Sequence, residues 1–494
     1  MTATPTQAHD DGRGRVPPFG ANLKLAAIGL GALMAALAQT LIIPVLPRIS
    51  QDIGASPTES QWLLTATLLV AAVSVSILGR LADMFGRRLM LLVAVGALAV
   101  GSTIDALTSE ATLMIIGRAL TGVASAAIPL GISLLAAVLP EERKGSAVAL
   151  ISATLGVGGA LGLPLAGLIA DSMDYHVLYW IGAIGAALSI AATAVLVREP
   201  EAPRGGFVDF PGMVLLAGAL ACLVLPLSLG GTWGWTSAAT IGLFVVAAVL
   251  FVSLYMIERR VRNPLVDMAS LARPSIALTN VASVFIGFAL FASFVGTANY
   301  VQAPEATGYG FGSSVLVAGM CLLPSGVLML VLAPPTARLI AVWAPARVLV
   351  LASTIIAAGL VMRIVLVDQL WQIIFGTAIV GVGTGVGYAA LPALIIAHTP
   401  TSDLAAANGI NTLARSLGST LASAVGGSLL AAVTVTVGGR EIASLTAYRI
   451  LFGICAGSAV LAALMGIVMS ARDSHVTHRG PLGRLNRAME LREL

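Results

Sequence analysis

Fourteen times along the chain, apolar residues run almost unbroken for about 20 positions or more, and each run closes in a short cluster of proline, glycine or charge. A helix of that length crosses the ~30 Å hydrocarbon core of a bilayer. A membrane barrel would need ~10-residue segments of alternating hydrophobicity, which these runs do not show. The pattern predicts spans at 23–47, 61–79, 89–108, 112–138, 146–170, 177–197, 211–230, 237–257, 276–301, 314–335, 347–367, 370–396, 405–434 and 447–470. The expected fold class is an all-α polytopic membrane protein with 14 transmembrane helices. The first run is too long for the ~7–15-residue core of a signal peptide, so no cleavage is expected, and the polar stretch 1–22 reads as a disordered tail.

Composition closes off alternatives. Of 494 residues, 58% are hydrophobic and 10% charged, with a mean hydropathy of +0.97, which excludes a water-soluble fold carrying roughly 25% charged residues. A net charge of +4 suggests no nucleic-acid partner. Cys222, Cys321 and Cys455 lie in apolar runs without CxxC spacing and read as small hydrophobes, so neither disulfide nor metal is expected. There is no G-x-x-x-x-G-K-[ST] motif and no soluble domain to hydrolyse ATP, so no cofactor is expected. An intramembrane enzyme would need placed acids, bases or metal ligands, and neither HExxH nor paired carboxylates occur within the spans, so the chain does not read as an enzyme. The five histidines fall in loops and tails.

Positively charged loops are retained in the cytoplasm. With the first span starting inside, 21 of the 27 Lys and Arg fall on the cytoplasmic side and four, Arg48, Arg363, Arg440 and Arg449, outside, while Arg118 and Arg415 lie within spans. Both termini are therefore expected in the cytoplasm. The six tryptophans lie at or near span ends, as an aromatic belt requires. In the basic tail 471–494, Leu482, Leu485 and Met489 share a helical face beside Arg484 and Arg487, which suits either an inner-leaflet amphipathic helix or a solvated one.

ILGRLADMFGRRLMLLV after the second span and PPTARLIAVWAPARVLVLA after the tenth share Arg-Leu at the end of an apolar run, a turn, then Arg and a new run. This internal repeat predicts a six-helix bundle at 23–197, a linker with two extra helices at 198–274 and a second bundle at 275–470, with a substrate path along the pseudo-twofold axis. Within Gly79-Arg80-Leu81-Ala82-Asp83-Met84-Phe85-Gly86-Arg87-Arg88, a carboxylate ends one span, glycine permits a tight turn, and two guanidiniums open the next. Two readings stand: a latch that binds a neighbouring helix end in one conformation, or topology determinants.

This segment resembles the G-x-L-a-D-r-x-G-r-k signature of the major facilitator superfamily, with Met84 the main exception. Arg118-Ala119-Leu120-Thr121-Gly122 resembles its R-x-x-q-G motif, and Gly158-Gly159-Ala160-Leu161-Gly162-Leu163-Pro164-Leu165-Ala166-Gly167 its exporter motif. VDFPGMVLL, GGTWGW and ERRVRNPLVD resemble the inserted-helix region of the fourteen-helix drug:proton antiporter branch, and ANYVQAPEATGYG a later loop. The resemblance implies a major facilitator fold, a latch at Gly79, Asp83, Gly86, Arg87 and Arg88, and a coupling or gating role for Arg118 and Gly122. It also implies a bend in the fifth span around Gly158, Gly162, Pro164 and Gly167.

Two departures matter. Ala38 stands where the branch usually carries an acid in the first helix, so export of cationic drugs is not carried over; Pro164 sits one position late, altering the bend. None of the 23 carboxylates lies in the middle third of a predicted span. The remaining candidates for proton coupling are Asp105 and Glu305, both expected at the exterior as solvated acids unless functional, and Asp83. Arg118 needs a partner or a water-filled cavity, whereas Arg415 is placed to snorkel to the cytoplasmic interface. Glycines in the fifth and twelfth spans read either as flexing points or as close packing. Polar or aromatic groups stranded in apolar helices mark a substrate path, Gln39, Thr67, Asn299, Tyr300, Gln302, Tyr388, Asn411 and Arg415, with interhelical hydrogen bonding as the alternative.

These features predict a secondary transporter in the cell membrane exporting a hydrophobic or amphipathic small molecule, drug or metabolite, by proton antiport with alternating access. Its expected partners are that substrate, protons and membrane lipid, with the protein a monomer. A facilitator, an uptake carrier or a lipid transporter of the same fold is the alternative, and a membrane sensor the non-transport one.

Overall fold

The computed structural model describes residues 18–55, 57–199, 209–261, 271–400, 403–438 and 440–479. The expected tail up to residue 17, the amphipathic face at Leu482, Leu485 and Met489, and the motif residues from Arg262 to Asp267 lie outside them. The helices are α1 Pro18–Thr40, α2 Ile42–Asp52, α3 Pro57–Phe85, α4 Arg87–Leu107, α5 Ala111–Val123, α6 Ala127–Val138, α7 Glu141–Ser172 and α8 His176–Leu196. After them come α9 Phe210–Trp233, α10 Ala238–Glu258, α11 Pro274–Gln302, α12 Val315–Trp343, α13 Pro345–Val365, α14 Leu370–His398, α15 Leu404–Ala432 and α16 Leu445–Arg479.

Among the described residues, 13 helical stretches are long and apolar enough to cross a membrane, α5 and α6 together making one. Helix α15 is a further 29-residue helix, made more polar by Asn408, Asn411 and Arg415. The two interrupted helices have local causes. Pro44 has no N–H for the Thr40 carbonyl, and the break between α1 and α2 falls there. Pro129 likewise leaves Ser125 without its helical donor, and residues 124–126 tighten into a 3₁₀ turn.

The chain crosses back and forth, so the ends of the crossing stretches fall on two faces. We call the one carrying Arg87 and Arg88 the basic face. Buried apolar side chains form two clusters, one from α1–α10 with two residues of α15, the other from α7 and α11–α16. Helix α7 contributes to both. It packs on α1 through Gly158 and Gly162 and on α12 from Gly145 beside Ala337 to Gly167 beside Leu316, so its glycines serve close approach along its length. Helix α9 lies against α3 and α15, with α10 outside it as the least buried crossing helix. On the far face Thr434–Val437 and Arg440–Ala443 pair as an antiparallel hairpin, β1 and β2, with Thr434 opposite Ala443. The sequence reading placed helix and loop there.

The two halves share local geometry at several equivalent positions. Gly86 between α3 and α4 has φ 113° and ψ 137°, and Ala344 between α12 and α13 has φ 68° and ψ 147°. Helices α4 and α13 are both 21 residues long, and α3 and α12 both 29. The eighth residue of α5, Arg118, donates to the carbonyl of the seventh of α3, Leu63; the eighth of α14, Thr377, donates to the seventh of α12, Cys321.

Candidate functional site: a latch between the halves and a buried charge cluster

At the basic face, the Asp83 carboxylate accepts from the Ala406 N–H at 3.1 Å. Ala406 is the third residue of α15, so a side chain of the first half caps a helix of the second and meets its positive dipole end. Asp83 also faces Arg87, with Nη2 to Oδ1 at 3.7 Å. Gly79 allows the crossing, since a Cβ there would stand 3.0 Å from the Ala405 carbonyl oxygen. The other end of the motif is held from within its own half. Glu199 accepts from the Arg87 and Arg88 N–H groups at 2.8 and 2.9 Å, capping α4, while Arg88 Nη2 donates to the Ala194 carbonyl and Arg87 Nη1 to the Ser133 carbonyl. Gly86 makes room, because a Cβ would meet Glu199 Oε2 at 2.8 Å. Glu199 escaped the sequence reading, although an acid closing a span on the side that carries two arginines is a visible signal.

Toward the far face, Arg118 is 2% exposed. Its Nη1 donates to the Ala38 carbonyl of α1 at 3.0 Å and its Nε to Leu63 of α3 at 3.3 Å, while Thr67 and Thr121 donate to its own carbonyl. Gly122 lets α5 meet α3 at the Thr67 carbonyl. Asp105 corrects the expectation of a solvated acid: it is 0% exposed, and neither carboxylate oxygen has a hydrogen-bond partner. Asp105 stands two residues inside the Leu107 end of α4, on the side that faces α5, so it meets Gly117 instead of water, and any side chain there would collide with it. Asp105, Arg118 and the buried Tyr179 of α8 interact electrostatically. A small cavity lined by Ala38, Ser102, Arg118, Tyr179 and Gly182 reaches within one turn of Asp105.

In the second half, two arginines depart from expectation. Arg363, counted on the outer side at the end of the span 347–367, is 1% exposed in α13, with its guanidinium 4.8 Å from the Phe452 ring and 5.8 Å from Tyr300, and Nη2 donates to Thr297. Arg415, expected to snorkel, is 1% exposed, 4.9 Å from the Tyr388 ring, and donates to Thr412. Its place in the middle third of a 29-residue helix is too deep for its side chain to reach an interface. Nε and Nη1 of both arginines lack partners.

The other path residues are not gathered into one pocket. Gln39 donates to Ser125, Asn411 to Asn280 and Ser283, and Gln302 to its own helix. Asn299 is exposed, and Glu305 is exposed in a 3₁₀ turn after α11. Tyr300 donates to the Val367 carbonyl and packs with Tyr309, Phe311 and Tyr448, and Tyr309 donates to Ala443 of the hairpin. Burial pushes the Tyr309 hydroxyl above its ordinary pKa. Pro164 packs against Gly319 of α12.

Two repeated halves of membrane-crossing helices, joined at one face by a charge-dependent cap and holding buried arginines within, define a membrane transporter. The Major Facilitator Superfamily model matches residues 28–288 and again 284–488, and the chain belongs to that family. It is 28% identical over 443 residues to the tetracenomycin C resistance and export protein of Streptomyces glaucescens, covering 86% of this chain and 80% of that one. To multidrug resistance protein 3 of Bacillus subtilis it is 27% identical over 419 residues, 83% of this chain and 80% of that one. The crystal structure of the human organic anion transporter MFSD10 (TETRAN) superposes with a TM-score of 0.63 at 14% identity, over 91% of this chain and 100% of that one.

Proposed function

We propose that the chain exports a hydrophobic or amphipathic small molecule across the cell membrane by alternating access, in exchange for protons, with the basic face in the cytoplasm. The observation that carries the reading is the Asp83 cap on α15. It is a contact between the halves at one face, made by one carboxylate, and its breakage would let that face open. The drug-resistance and export relatives support the direction of transport and the size of the cargo.

The cargo is neutral or acidic in this reading. Burying a cation such as Arg363 or Arg415 without a carboxylate partner leaves the interior of the second half positive, which disfavours a permanently cationic molecule. Protein reconstituted in liposomes with an internal pH-sensitive dye tests both points against tetracenomycin C, a fatty acid and ethidium. Proton flux triggered by the first or second, weak with ethidium and lost in Arg118→Ala, is the expected outcome. Substrate movement without proton flux would leave a facilitator instead.

A further inference from the structure

The two halves match in backbone, and at one pair of equivalent positions they carry opposite charges. Asp105 is the nineteenth residue of α4 and lies over Gly117, the seventh of α5; Arg363 is the nineteenth of α13 and lies over Gly376, the seventh of α14. Tyr179 and Tyr448 are each the fourth residue of the corresponding helix, α8 and α16. The site that holds an ionisable acid in the first half thus holds a permanent cation in the second.

We propose that Asp105 is the proton-binding group of the transport cycle and that Arg118 converts its charge into helix movement. The inference rests on the antiport reading above. A carboxylate at 0% exposure with both oxygens unpartnered is costly to hold ionised, so the arrangement seen is that of the neutral acid. With Asp105 neutral, Arg118 is free to donate to Ala38 of α1 and Leu63 of α3. Loss of the proton to water in the adjoining cavity leaves a carboxylate beside the guanidinium. The charge-assisted bond then formed draws Arg118 off both carbonyls. That frees α1 and α3 at this level, and α3 carries Asp83 and the latch at its other end. No covalent bond changes; one proton leaves and the Arg118 donors are redistributed.

The groups facing Asp105 are Arg118 from α5 and Tyr179 from α8, with Ser102 on its own helix. Tyr175 lies beside Tyr179, and nearer the surface stand Glu110 and the Asp174–His176 pair. Arg363 cannot release a proton in this range, so the second half lacks the equivalent proton site and the pair of positions carries one proton per cycle.

The substrate-free test is infrared spectroscopy of the full-length protein as pH is varied. A carbonyl band from a protonated carboxyl that disappears with rising pH, is missing in Asp105→Asn and returns displaced in Asp105→Glu supports the assignment. An unchanged band in Asp105→Asn overturns it. In liposomes, Asp105→Asn should abolish substrate-triggered proton flux while counterflow of tetracenomycin C, which needs a folded carrier but no proton, persists; normal proton flux in that variant also overturns the inference. A band that belongs to Asp105 in a protein that shows no proton flux with any cargo would retain the proton site and remove the antiport reading.

Discussion

At the scale of single residues, buried charge lies between packed helices and exposed charge shapes the helix ends. Glu110 illustrates the second. Its carboxylate accepts from the Leu113 and Thr112 N–H groups, which holds it below the usual glutamate range. A lowered folded pKa means stability that is fully present above the ordinary value and lost as pH falls through the lowered one. Glu110→Gln should therefore fray the start of α5, seen as faster amide exchange at Thr112 and Leu113 near neutral pH, and the difference from the parent should vanish on acidification. Equal exchange at neutral pH would remove the cap from the account. The residues that proved hardest to read share a cause. Asp105, Arg363 and Arg415 lie close to span ends or beside polar neighbours in the sequence, where hydropathy allows a side chain to reach water. Which way each points depends on helix rotation, and a glycine on the next helix, Gly117 or Gly376, decides it for two of them.

Elements were easier to anticipate than orientations, because a run of apolar residues long enough to cross a bilayer has few other fates. The hairpin was missed although Thr434 to Val437 alternates β-branched residues before Gly438, which has φ 56°. A span boundary drawn by hydropathy alone absorbed it. The repeated turn shows the opposite situation, where local chemistry is imperfect and the fold overrides it. Gly86 and Ala344 share a backbone region open almost only to glycine, and Ala344 is the single non-glycine residue with positive φ among those described. Ala344→Gly should raise stability by about 1 kcal/mol, read as a higher unfolding temperature in detergent. Gly86→Ala should lower it by more, since strain is joined there by collision with Glu199. A neutral Ala344→Gly would show that the turn is relaxed.

For the whole molecule, the proposed cycle requires the Asp83 contact at the basic face to break. Cysteines placed at Gly145 and Ala337 would lie close enough to cross-link in the latched state, since a Cβ on Gly145 stands 3.5 Å from that of Ala337 near the basic face. In an Asp83→Asn background the cross-link should form several-fold more slowly and a probe should reach the pair from the basic side more readily, because the cap keeps its shape and loses its charge. Unaltered cross-linking would assign Asp83 to topology alone.

The two long flanks where the halves meet are both covered by packed helices. On one side α7 and α12 touch from Gly145 to Gly167, and on the other α9 lies over α3 and α15, with Trp235 of the α9–α10 turn donating to Ser428. Among the described residues, these seams offer no sideways doorway to a solute dissolved in the bilayer. In the proposed export cycle such a solute enters from water at an end of the protein, so its rate of removal should follow its aqueous concentration, and greasier compounds would gain nothing from accumulating in the membrane.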